Sequence, residues 1–241
     1  MSISKIHRQM AEAKQLVLVV EGTDALRPHW PTIVSNYLEK VIRSYCAFLI
    51  TRSSWTKNVN TFMEWVQSVN FTGVTLFGAA ATAEGLGEAL MMFPYVNGFH
   101  PDCVQKHCIL VAASNPCSVP TPVYTRPRYQ PPYYTIMKPG TILCDAETVA
   151  KSFYTISVSL SVISPCRRNI PKLEAIYYAA KSHLPKTGRN IRNVTNPENL
   201  VLISEHFMEA RLALGQPVVT KVPPNKSPVA VDITEDSSPD S

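Results

Sequence analysis

Glycine is scarce in this chain: nine residues in 241, against twenty prolines. A phosphate-cradling loop needs glycines directly after a strand, where backbone must approach the ligand closely. Only Gly22 follows the first strand-like run, and Gly78, Gly85 and Gly87 match neither a G-x-G-x-x-G nor a P-loop spacing, so nucleotide binding is disfavoured. Long apolar runs are missing too; none reaches the ~18 residues that span a bilayer. The opening segment, Met1 to Lys14, is polar and carries no hydrophobic signal core, which argues against secretion and against a membrane partner. Charged residues make up only 17% and the net charge is +5. That permits an acidic or nucleic-acid partner without requiring one.

The six cysteines form no C-x-x-C pair, and several sit inside apolar runs. This usage suits a reduced cytosolic or nuclear interior and not a disulfide framework. Three N-x-S/T triplets, at Asn70, Asn193 and Asn225, read as chance. No G-x-S-x-G elbow occurs. His107 and Cys108 are neighbours in a strand-like run, so they point to opposite faces and cannot act as a nucleophile–base pair. The expectation for Cys103 and His107 is a buried thiol and a surface imidazole, with no enzyme and no cofactor.

What the sequence does hold is a regular alternation of elements. Gln15 to Val20, Cys46 to Ile50, His107 to Ala113, Ser157 to Ile163 and Leu200 to Ile203 are short, nearly continuous apolar runs, the pattern of strands buried on both faces. Between them lie helical patterns. One opens at Pro31 with Ile33, Val34, Tyr37, Leu38, Val41 and Ile42 on one face. A second follows Thr56, its expected cap, with Val59, Phe62 and Val66. A third runs from Ala83 to Phe93, where Gly85 and Gly87 would let it lie close to a sheet. Further helices start at Asp145, at Pro171 and after Ser204, the last stopping near Gly215. Residues 116–140 carry seven prolines and four tyrosines and predict a long exposed loop with polyproline-like pieces. The fold class implied is α/β: a doubly wound, mostly parallel sheet with helices on both faces, in one domain over 14–215 with the Pro/Tyr-rich loop 116–141 inside it. Residues 1–13 read as a flexible N-terminus and 216–241 as a disordered acidic tail.

Ligands of such sheets sit beyond the carboxyl ends of the strands. The loop after Val20 offers Glu21, Thr23 and Asp24, and Thr82 could reach the same crevice. These oxygens make a poor hard-cation site, so no metal is expected; Thr23 and Thr82 equally serve as a turn residue and a helix cap. Arg167, Arg168, Lys172, Lys181, Lys186, Arg189 and Arg192 gather late without an RNA-binding aromatic signature, and read as a solvated face or a contact for an acidic protein. Two linear features point to protein partners. Pro131, Pro132, Tyr133 and Tyr134 fit the P-P-x-Y pattern read by WW domains. Val229, Val231 and Ile233, followed by acids, resemble a SUMO-interacting strand.

Stretches of the chain resemble the von Willebrand A domain family of plant Mediator subunit 25. They are KQLVLVVEGT (14–23), HWPTIVSNYLEKVIRSYC (29–46), RSSWTKNV (52–59), ATAEGLGEALMMF (81–93), KHCILVAASNP (106–116), PTPVY (120–124), DAETVA (145–150), SVSLSVISP (157–165) and LVLISEHFMEA (200–210). The resemblance implies a von Willebrand A or Rossmann-like sheet. The wider fold family often binds a divalent ion through an Asp-x-Ser-x-Ser motif after the first strand. At the matching positions stand Glu21, Thr23 and Ala25, the later aspartate falls around Ala113 and Ser114, and Thr82 alone keeps a ligand type. A degenerate metal site is therefore implied. So is a nuclear, non-catalytic docking role that tethers to other Mediator subunits or transcription regulators, with direct nucleic-acid binding disfavoured. A metal-dependent adhesion-type domain and a linear-motif adaptor acting through 131–134 or 229–238 are the alternatives. Between Cys46 and Ala47 the family has a further strand and loop that this chain lacks. Either the sheet loses one strand there, or Cys46 to Ile50 takes its slot.

Overall fold

The computed structural model describes residues 13–44, 48–51, 54–73, 79–93, 104–125, 129–130, 135–136, 140–166, 170–181 and 198–215. Six strands make one sheet: β1 (Ala13–Val20), β2 (Phe48–Thr51), β3 (Ser54–Thr56), β5 (Val104–Val111), β11 (Val158–Ser164) and β12 (Leu200–Leu202). The intervening short strands are β4 (Ala79–Ala80), β6 (Asn115–Pro116), β7 (Thr121–Thr125), β8 (Tyr129–Gln130), β9 (Thr135–Ile136) and β10 (Gly140–Cys144). The sheet order is β12-β11-β5-β1-β2-β3. Its four inner strands are parallel, and both edge strands run antiparallel to their neighbours. β1 pairs with β5 at every position from Ala13↔Val104 to Val20↔Val111. The shortened segment does form a strand. Phe48–Thr51 fills the slot beside β1.

The apolar runs divide residue by residue between two cores, because successive strand side chains face opposite ways. Val17, Cys108, Leu110, Val158, Leu160 and Val162 face one layer. Leu16, Ile109, Val111, Ile163 and Val201 face the other. The first layer is covered by α3 (Thr82–Met92), α4 (Ala146–Thr155) and α5 (Pro171–Ala179). On the second lie α1 (residues 30–44), α2 (Val59–Gln67) and α6 (Met208–Ala213). Helix α1 contains one π-helical turn, Val34–Leu38. It buries Ile33, Val34, Tyr37, Leu38, Val41 and Ile42, the face its period foretells. Each fully buried side chain of this kind contributes about 1.5–3 kcal/mol.

The helix ends follow the sequence with two corrections. Asp145 caps α4 through Oδ1, which accepts from Thr148 N at 2.7 Å. Pro171 opens α5, and Gly215 ends the segment after α6 at φ +64°. The cap of α2, however, is Asn58, not Thr56. Its Oδ1 accepts from Asn60 N and Thr61 N, and the Thr56 hydroxyl merely accepts from Asn58 N. Ser204 likewise makes a turn with His206 N and does not cap α6, whose N-cap is Phe207.

The proline-tyrosine stretch is not a plain loop: β8 and β9 pair antiparallel within it. β7 and β10 form an antiparallel ribbon, Thr125↔Gly140 to Thr121↔Cys144. Its inner face buries Val123 and Cys144 against the first core. Gly87 of α3 makes this possible, since a Cβ there would overlap Val123 Cγ1. The outer face shows Tyr124 and Leu143, 60% and 71% exposed.

Candidate functional site

The carboxyl ends of β1 and β5 carry the loops that sequence reasoning singles out. Glu21 N donates to Val111 O at 2.9 Å, which carries the β1–β5 pairing one step past the strand. The Glu21 side chain then turns into the space between the loops and is 8% exposed. Its Oε2 accepts from Ala113 N at 2.7 Å and Ser114 N at 2.9 Å; its Oε1 accepts from Ser114 Oγ at 2.7 Å and from the Thr23 hydroxyl. On the outer side, Gly73 N donates to Gly22 O and Asp24 N to Gly73 O. A Cβ at Gly73 would lie 3.0 Å from Gly22 O, a tight approach that favours glycine where these backbones meet. The third loop joins through β4 and β6, which pair Ala79 with Asn115 and Ala80 with Pro116. Thr82 follows as the buried first residue of α3, one place past the N-cap Ala81.

Three of the sequence-picked positions, Glu21, Thr23 and Thr82, thus belong to loops that converge, and Glu21 and Thr23 touch. Ala25 is exposed and offers no side-chain oxygen. The donor set does not suit a hard cation, which wants six or more oxygens around it. A carboxylate has about four acceptor positions, and four donors already point at Glu21. At the place of the later aspartate, two backbone N–H groups face inward, the wrong polarity for a cation. Among the described residues no group of three His, Cys, Asp or Glu side chains could hold a metal ion.

A second concave feature lies at the opposite, amino-terminal ends of β5 and β11. This cleft of about 480 Å³ is lined among others by Lys106, His107, Tyr154, Ser159, Lys181 and Glu205. Lys181 Nζ bonds Glu205 at 2.9 Å and stands 4.6 Å from the centre of the Tyr177 ring. Burial opposes the charge on Lys181, but Glu205 and Tyr177 outweigh it and raise its pKa. The Lys181 partner in turn holds the Glu205 carboxyl below its usual range. Sequence reasoning looked only at the carboxyl ends and missed this cleft. No motif marks it, since it forms where antiparallel β12 returns Ser204–His206 to the starts of its neighbours.

His107 corrects a sequence expectation: it is 2% exposed, not a surface imidazole. Its ring stacks on Phe207 in the second core, while Cys108 faces the first. Burial lowers the His107 pKa to about 3 and pushes the Cys108 thiol far up. Both groups are thereby kept neutral at ordinary pH. Cys108, Cys117, Cys144 and Cys166 are free thiols; Cys46 and Cys103 lie outside the described residues. So do Pro131, Pro132, Tyr134, Val229, Val231 and Ile233, the linear-motif residues, and Arg167, Arg168, Lys186, Arg189 and Arg192 of the basic group. Of that group Lys172 bonds Ser118 and Lys181 bonds Glu205. Among the described residues no helix is long and apolar enough to cross a membrane.

A central parallel sheet between two helical layers, with three loops meeting at the strands' carboxyl ends, defines an α/β domain of the von Willebrand A type. The chain belongs to the family described as Mediator complex subunit 25 von Willebrand factor type A, whose family model matches residues 44–206. It is 42% identical over 255 residues to a Mediator of RNA polymerase II transcription subunit 25 of Arabidopsis thaliana, covering 92% of this chain and 30% of that one. The corresponding figures for Solanum lycopersicum are 41% over 254 residues, 91% and 31%. For Danio rerio they are 23% over 201 residues, 71% and 27%. The chain therefore spans about 30% of the length of its plant relatives. The Arabidopsis alignment, at 255 positions, exceeds the 241 residues of the chain, so this chain lacks residues that the relative has. Among solved structures, the pilus adhesin SpaC of Lactobacillus rhamnosus GG in its open conformation aligns with a TM-score of 0.41 at 13% identity, over 69% of this chain and 26% of that one. At that score the likeness carries no argument.

Proposed function

We propose that this chain is a non-catalytic protein-docking module of the Mediator machinery. It works in the nucleus, tethered to other Mediator subunits or transcription regulators, without a cofactor, membrane attachment or direct contact with nucleic acid. The observation that carries the reading is the family match over residues 44–206, with plant relatives bearing the Mediator subunit name along nearly the whole chain. The chemistry of the reactive groups supports the absence of catalysis. A general base needs a pKa near working pH and a nucleophile needs a base within reach. His107 is held neutral far below that range, Cys108 is locked as a thiol on the other face, and the Glu21 carboxylate is spent on the chain's own donors.

The test is recovery of Mediator subunits with the tagged 241-residue chain from plant nuclear extract in mild salt. Enrichment well above a tag-only control is expected; recovery at the control level defeats the reading. Turnover of any small molecule by the pure chain would also defeat it.

A further inference from the structure

We infer that Glu21 is a built-in carboxylate clamp, closing the rim between the β1 and β5 loops from within, so that the chain's own hydrogen bonds make this joint and no divalent cation does. The inference rests on geometry alone and stands whether or not the docking reading holds. Ala113 and Ser114 lie 92 and 93 residues from Glu21 in sequence, yet both amides and the Ser114 hydroxyl converge on one carboxylate at 2.7–2.9 Å. Thr23 binds the same group from its own loop. Hydrogen bonds to an ionised acceptor are the strong ones, and here they replace what a bridging ion would supply: a negative centre gathering donors in place of a positive centre gathering oxygens. The two arrangements exclude each other. Seating a cation would require Glu21 to release the amides of Ala113 and Ser114, leaving one part-buried and one buried donor without an acceptor. The neighbouring backbone could not turn to provide one, because it is pinned on both sides. Glu21 N is bonded to Val111 O, and Ala112 N to Ile163 O at 3.1 Å. Ala25, at the matching third position, brings no oxygen.

The experiment uses the full 241-residue chain. Calorimetry with magnesium, manganese or calcium at millimolar concentration should give no saturable heat. Hydrogen exchange followed by NMR should show the Ala113 and Ser114 amides protected equally in chelator and in magnesium. In Glu21→Leu, which removes both acceptor oxygens, those two amides should exchange roughly tenfold faster or more, while the Leu110 amide in β5 keeps its rate. Saturable cation binding, or protection of the two amides that appears only with a cation, overturns the inference. So does a folded Glu21→Leu in which both keep wild-type exchange. Should that variant fail to fold, the two wild-type arms decide the matter without it.

Discussion

The imidazole of His107 lies flat against the phenyl ring of Phe207, with ring centroids 4.0 Å apart and planes 15° from parallel. One residue comes from the middle of the inner strand β5 and the other from the turn after the edge strand β12, so the stack ties the sheet's edge to its middle. It also places a titratable group in a site that tolerates only the neutral form.

The first prediction is a pH dependence. Burial dominates at His107; the facing Glu209 pulls its pKa up, while His206 and Lys14 push it down, and the result is about 3 against an ordinary 6.5. The depressed pKa means that the unfolded chain binds the proton first. Stability due to this group is complete above pH 6.5 and is lost as pH falls toward 3. Between pH 6.5 and about 5, before most carboxylates titrate, the loss should reach about 2 kcal/mol. Urea melts of His107→Phe, which preserves the stack, should show a flatter dependence over that interval. Equal slopes in wild type and variant would refute the assignment.

Gly87→Ala should destabilise the fold although alanine is the better helix former by about 1 kcal/mol. The new methyl collides with buried Val123, and overpacking of this kind costs about 1–3 kcal/mol. Adding Val123→Ala should make the Gly87→Ala change favourable, a sign reversal that a double-mutant cycle of thermal melts detects.

Caps offer a sharper contrast. Asn58→Ala and Asp145→Ala should each lower stability by about 1 kcal/mol. Thr56→Ala, at the residue that local sequence suggests as the cap, should cost less than about 0.5 kcal/mol. Chemical denaturation of the three variants ranks them directly.

Asn199 Nδ2 donates to Tyr37 Oη at 2.9 Å, a buried bond joining α1 to the start of β12 across 162 residues. Tyr37→Phe leaves that amide without its acceptor and should cost about 1–3 kcal/mol. Pairing it with Asn199→Leu should recover part of the loss; strictly additive costs would show that the bond contributes nothing.

Much of the architecture was legible locally. Gln15 to Val20 and His107 to Ala113 read as two-sided strands because a nearly continuous apolar run at a two-residue period can be buried only by covering both faces. The α1 stripe and the Asp145 cap also depend on neighbours within a few residues. The Thr56 misreading shows the limit of that logic, since two polar residues stood at suitable places and only the chain's path chose between them. The order within 121–144 was hidden because a ribbon needs its partner strand, and proline-rich composition hides the pairing.

Composition and period alone therefore decided that this chain builds a two-sided parallel sheet, and its motifs placed Glu21 beyond the first strand. Folding in three dimensions decided the rest: the reversed direction of β12, the burial of His107, and the fate of the Glu21 carboxylate. The physical reason is range. Strand and helix patterns repay local burial, whereas a carboxylate's role depends on which donors meet it, and those of Ala113 and Ser114 arrive from more than ninety residues away.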